Sequence, residues 1–133
     1  MVKRPHFSQS ALHTKNGVPL TEQSEADVQA AVIELLRKAG YLVIRFNSGG
    51  FRDGKRFVSF YHIFGSDKPA SGFPDVAAFK GAKCLLLEVK RRRGKVSEAQ
   101  EQFRRYAAQH GVTVATVRSV SDALQIIESE RNR

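Results

Sequence analysis

The stretch GFPDVAAFKGAKCLLLEVK, residues 72–90, decides how the rest of the chain is read. It holds two apolar runs, residues 74–80 and 83–90, separated by Gly81-Ala82. Glycine at the first turn position suits a tight hairpin of the II′ kind, and a four-residue loop of the same register gives the same pairs. Counting outward from the turn sets Phe79 against Cys84, Ala77 against Leu86 and Asp75 against Glu88. Directly opposed residues have β-carbons roughly 4.5–5.5 Å apart and point to the same face. Lys90 shares that face, because side chains alternate along a strand. The hairpin therefore gathers two carboxylates and a lysine at one end.

Two facing carboxylates weaken a hairpin unless a cation lies between them. Lys90 is offset along the strand, so the spacing points to a divalent metal. Mg²⁺ is typically held by one or two carboxylates together with waters and phosphate oxygens. The structural alternative makes Asp75 a strand-opening residue beside Pro74, with Glu88 paired to Lys90 or a nearby arginine at a solvated end. The run LLLEVK weighs against it. Glu88 interrupts an otherwise buried strand, where an uncompensated charge is costly.

Working outward, residues 1–21 mix Pro, His, Ser, Asn and Gly without a period and read as a flexible N-terminal arm. A helix begins after Ser24, a suitable N-cap, and ends at Gly40. Val28, Ala31, Val32, Leu35, Leu36 and Ala39 form its apolar stripe. YLVIRF, residues 41–46, is a strand, and NSGGFRDGKR, residues 47–56, is a turn or flexible loop. FVSFYHIF, residues 57–64, is strand or extended chain, and SDKPASG is a second irregular loop. After the hairpin come the basic loop RRRGK, a helix over residues 97–110, a strand in VTVATV and a last helix in SDALQIIESE. The strands around Val76 and Leu86 are apolar on both faces, so both faces need covering. The expectation is a single α/β domain over residues 22–133, with the first and second long helices packed on the sheet.

Charge adds a functional clue. Twenty-two Lys and Arg against thirteen Asp and Glu give a formal +9, which suits a polyanionic partner, nucleic acid ahead of membrane. The lone Cys84 excludes an internal disulfide framework, and a reducing, cytoplasmic setting is expected. No stretch reaches the apolar length of a membrane span, and the basic start lacks the apolar run of a signal peptide. His6, His13, His62 and His110 are scattered, and with one cysteine no zinc spacing arises.

Two further residues draw attention. Projected on a helix, Glu25 falls about 40° from the centre of the apolar stripe and would look toward the sheet. Its alternative is a first-turn acid favourable to the helix dipole. SEAQ, residues 97–100, fits a capping box in which Gln100 reaches back to Ser97, a role sufficient to explain it.

With these residues in place, the chain resembles the PD-(D/E)xK nuclease superfamily: Pro74-Asp75 followed by Glu88-Val89-Lys90. More narrowly it resembles the VRR-NUC group, through SEADVQ, GFPD, EVKRRRGKVSEAQ and GVTVATVRSVSDAL in that order, over residues 24–127. The resemblance implies a restriction-endonuclease-like core, α-β-β-β-α-β, with a mixed central sheet flanked by helices. It implies a Mg²⁺- or Mn²⁺-dependent, structure-selective DNA endonuclease, similar to Holliday-junction resolvases, acting as a homodimer. By position, Asp75, Glu88 and the Val89 carbonyl look like metal ligands, and Lys90 like the lysine that orients or activates water. Glu25 matches the acid that joins or supports the metal site, and Gln100 the helix glutamine. Arg91, Arg92, Arg93 and Lys95 are then placed for phosphates flanking the cut. Arg52, Lys55 and Arg56, with Phe51, would track the backbone or wedge at a branch point; for both runs the alternative is a solvated loop. Competing readings are a DNA- or RNA-binding module on the same fold, and a flap, nicking or restriction-type nuclease.

Overall fold

The computed structural model describes residues 23–46, 50–64 and 72–132, so the expected arm at residues 1–21 lies outside the described residues, as does most of SDKPASG. Helix α1 spans Glu25–Lys38 and is followed by strands β1 (Leu42–Arg45), β2 (Gly50–Asp53), β3 (Arg56–Ser59), β4 (Val76–Lys80) and β5 (Lys83–Val89). Helix α2 (Glu98–Gln109), strand β6 (Val114–Val117) and helix α3 (Val120–Arg131) complete the fold. It is a mixed α/β arrangement.

Local chemistry explains the helix starts. The Ser24 hydroxyl accepts from Asp27 N at 3.0 Å while the Asp27 carboxylate accepts from Ser24 N, a reciprocal capping box. Ser97 and Gln100 repeat the device for α2, and Ser119 caps α3 by accepting from Asp122 N. Val28, Val32 and Leu36, four residues apart, bury one stripe of α1.

The main sheet runs β1-β4-β5-β6. Strands β1, β4 and β5 are antiparallel neighbours, and β6 lies parallel to β5 after the α2 crossover. The hairpin closes at Lys80–Lys83 and runs out through Phe79–Cys84, Ala77–Leu86 and Val76–Leu87, the expected register. Gly81 has φ +60° and no non-glycine described residue has a positive φ, as a II′ turn requires.

Alternation then sorts the faces. Val76, Ala78, Leu85, Leu87, Val89 and Val117 point to the side where α1 and α3 build the core with Val32, Leu36, Ala123 and Ile127. Ala77, Leu86 and Glu88 point to the other side, under α2, whose Gln100 and Arg104 hydrogen-bond Glu88 and Thr116. The two expected helices thus pack on opposite faces, and the last helix joins the first. α1 is amphipathic but not wide enough to cover a four-stranded sheet, and α3 supplies the rest of that layer.

One expectation is corrected. Gly50–Asp53, read as part of a loop, is strand β2, paired with β3 in a two-stranded ribbon separate from the main sheet. Asp53 and Arg56 close it around Gly54-Lys55, with Gly54 at φ +64°. The glycine and basic density of the segment masked a Gly-X hairpin signal.

Gly72 marks a close approach. A β-carbon there would run into the Ala99 carbonyl at the start of α2. Backbone does not yield as a side-chain tip does, so Gly72→Ala is expected to destabilise the domain by roughly 1–3 kcal/mol. It would also displace Gln100, visible as lost thermal stability and changed amide shifts at residues 97–101. Among the described residues, no helix is long and apolar enough to cross a membrane.

Candidate active site

The hairpin register carries Asp75 to the position opposite Glu88, one step beyond the Val76–Leu87 pair. Glu88 is only 1% exposed, so the solvated alternative fails for it. Asp75 is half-buried, and its Oδ2 accepts from Val89 N at 2.9 Å. Burial pushes the Glu88 carboxyl up to about 9; the hydrogen bond to Asp75 and the Asp75 charge add to this, Lys90 opposes it, and Glu25 adds a little more. Without a bound cation, Glu88 therefore holds its proton at neutral pH.

Gln100 does two jobs. Its Oε1 accepts from Ser97 N at 2.8 Å, closing the cap of α2, while its Nε2 donates to Glu88 Oε1 at 2.7 Å. The helix start is thus tied to the buried carboxyl by one side chain. Replacing Gln100 by Glu keeps the acceptor for Ser97 but sets a further carboxylate against Glu88. Gln100→Glu is expected to keep α2 capped while losing at least tenfold in any activity that needs ionised Glu88, a loss of about 1.4 kcal/mol. Gln100→Ala loses both contacts. If the two variants keep full activity and differ only in melting temperature, Gln100 is a cap alone.

Lys90 is nearly buried and its Nζ stands 3.9 Å from Glu25 Oε1. Glu25 itself is about half exposed, 46% at the side chain, and so does not extend the buried stripe as its helical angle suggested. Glu25 meets Lys90 from the solvent side. Glu25 therefore borders the carboxyl pair through Lys90. Among the described residues, no group of three or more His, Cys, Asp or Glu side chains is placed to hold a metal ion.

Several contributors escaped the sequence reading. Continuing the register sets Pro74 opposite Val89. Phe46 N donates to Asp75 O at 2.7 Å, so the Asp75 backbone faces β1 and the Pro74 and Val76 backbones face β5. Proline has no N–H, so at this position the ladder brings no donor to the Val89 carbonyl. Phe73 is the hub of an aromatic cluster, with ring centroids 5.0 Å from Phe46, 5.3 Å from Phe103 of α2 and 5.7 Å from Tyr61. Its position two residues before Asp75, within GFPD, was the available signal.

Arg118 braces the basic loop. Its Nη1 is shared among the carbonyls of Arg91, Arg92 and Gly94 at 3.1, 3.3 and 2.6 Å. Nothing in the local sequence announces a contact to residues so far back in the chain. Arg91, Arg92, Arg93 and Lys95 keep exposed side chains in the loop that follows Lys90. Arg52, Lys55 and Arg56 are also exposed but lie on the β2–β3 ribbon, where Arg56 pairs with Asp53 at 3.2 Å.

The donors at the sheet end suit a hard divalent ion. Besides the hydrogen bond between the two carboxyls, Asp75 Oδ2 is engaged by Val89 N and Glu88 Oε1 by Gln100 Nε2. Such a pair, with the Val89 carbonyl, matches an ion that keeps several waters. Compared with known proteins, the chain matches no family model, and no curated protein matches it.

Proposed function

We propose that this protein is a metal-dependent DNA endonuclease that hydrolyses phosphodiester bonds in branched DNA, working as a homodimer. The observation that carries the reading is the buried Glu88 carboxyl facing Asp75 beside Lys90. A fold rarely retains such a pair for stability, since burying like charges is unfavourable. Perturbed acids of this kind cluster at functional sites. The order of the main sheet, one helix, three antiparallel strands, a crossover helix and a parallel strand, supports the nuclease core.

Asp75, Glu88 and the Val89 carbonyl would hold Mg²⁺ or Mn²⁺, which supplies a low-pKa water and neutralises charge on phosphoryl oxygens when bound. As a ligand Glu88 would be ionised, and Gln100 would fix which of its oxygens stays engaged with the protein. Lys90 places a positive charge at the mouth, where it orients a water or the phosphate and stabilises developing negative charge. Glu25, 3.9 Å away, pairs with the lysine and holds it in place. The exposed arginines of residues 91–93 and Lys95 bind flanking phosphates without reading sequence.

The test is cleavage of labelled four-way junction, flap and plain duplex DNA with Mg²⁺ or Mn²⁺, by the parent chain and by Asp75→Asn. Metal-dependent, paired nicks in the junction, absent from the variant, are expected. Binding without cutting under either metal would favour the binding-module reading and end the nuclease proposal.

A further inference from the structure

We infer that the β2–β3 ribbon is a base-stacking arm, which captures unpaired bases of the DNA whose backbone lies at the carboxyl pair; this rests on the nuclease reading. Among the described residues, every exposed large aromatic side chain lies in this ribbon or within five residues of its end: Phe51, Phe57, Phe60 and Phe64, from 50% to 94% exposed. A two-stranded ribbon alone is marginally stable in water, and one that leaves its largest apolar groups in solvent is built for a partner.

The ribbon's geometry indicates which partner. Phe51 and Val58 are cross-strand neighbours, and Phe60 continues their face, with its ring 6.2 Å from that of Phe51 and tilted by 34°. Arg52 is exposed on the ribbon's other face, opposite Phe57, and Lys55 is exposed in the turn, where its carbonyl steadies Arg52 Nη1 at 3.3 Å. Rings interleaved with cations are the composition that binds single-stranded nucleic acid, the bases stacking and the phosphates taking the charge. The formal +9 of the chain favours the same polyanion.

The root of the ribbon ties it to the site. Tyr61, just past β3, packs on Phe46 at 6.2 Å and on Phe73 at 5.7 Å. Phe73 stands two residues from Asp75, and Phe46 N bonds the Asp75 carbonyl. The arm and the carboxyl pair are therefore rooted on one aromatic cluster, so that DNA stacked on Phe51 and Phe60 approaches the site from the Tyr61 side. Intact duplex offers no free base face, so the arm selects DNA with unpaired or unstacked bases: flaps, tails and opened branch points.

The test uses the full chain in EDTA, which separates binding from cleavage, with flapped and blunt duplexes carrying 2-aminopurine. The parent is expected to bind the flapped DNA at least about tenfold more tightly than the blunt duplex, with a change in 2-aminopurine emission, as stacking on aromatics implies. Phe51→Ala/Phe60→Ala should bring the two affinities within about twofold of each other, by weakening binding of the flapped DNA. Phe51→Leu/Phe60→Leu keeps apolar bulk without the rings and should behave alike, which guards against misfolding of the alanine pair. A variant that keeps the preference, or a parent without one, overturns the arm while metal-dependent cutting by the parent leaves the nuclease reading standing. A parent that neither binds nor cuts DNA overturns both. Conversion of a dimer to a monomer by either pair, seen in sedimentation, assigns the face to a second copy of the chain and overturns the arm.

Discussion

Glu88→Gln is expected to melt at a higher temperature than the parent protein at pH 8 without divalent cations, and to cut no DNA. The sign follows from proton binding. In the unfolded chain the Glu88 carboxyl titrates at 4.5, whereas in the fold it titrates at about 9. Below pH 4.5 both states are protonated and the contribution of Glu88 is fully present. Between these values the unfolded chain releases the proton and the folded one retains it, so stability falls as pH rises. Glutamine has the shape of the protonated acid and never ionises. Its Oε1 still accepts from Gln100, and its amide donates toward Asp75. The variant should therefore lack the downward slope and gain up to about 5 kcal/mol at pH 8, the linkage between 4.5 and pH 8, seen as a rise of at least several degrees in melting temperature. Thermal melts at half-unit pH steps from 5 to 9 check this. A variant that follows the parent curve would show that another group carries the slope. Adding Mg²⁺ should raise the parent's melting temperature at pH 8 and leave the variant's unchanged, since ligand binding stabilises only the state that binds it.

Asp75→Asn and Asp75→Ala should both abolish cleavage while DNA binding persists, but they should differ in stability. Asp75 Oδ2 takes the N–H of Val89, which is fully buried. Asparagine retains a carbonyl oxygen for that N–H and turns its amide donors toward Glu88. Alanine leaves the donor unsatisfied, at a cost of roughly 1–3 kcal/mol. Asp75→Asn is therefore expected to melt higher than Asp75→Ala, with slower hydrogen exchange at the Val89 amide. Equal melting temperatures would mean that this hydrogen bond is not held in solution. Full activity in either variant would remove Asp75 from the site altogether.

The reach of the sequence is clearest in the hairpin. The Gly81-Ala82 turn and strict alternation determine which residues share a face, so Asp75, Glu88 and Lys90 could be grouped before any packing was known. Both are short-range effects, and the helix starts at Ser24 and Ser97 follow from equally local side-chain bonds. The missed strand β2 was local too: its Gly54-Lys55 turn was legible, but the flanking glycines and basic residues read as loop.

The rest depends on contacts between segments distant in the chain. Glu88 is acidic in any sequence reading; α2 lying over it makes it a carboxyl that keeps its proton to about pH 9. Gln100 is a cap by its spacing from Ser97 and becomes a partner of Glu88 through the crossover that returns α2 across the sheet. Glu25 lies near the apolar stripe by angle, yet is half exposed and meets the sheet only through Lys90. Pro74 facing Val89, Gly72 against Ala99 and Arg118 under the basic loop depend on how whole elements pack. Turn chemistry and side-chain period act over a few residues and are written in the sequence by itself. Desolvation, close approach and pairing across elements are decided by tertiary structure, because they depend on what covers a residue rather than on what adjoins it.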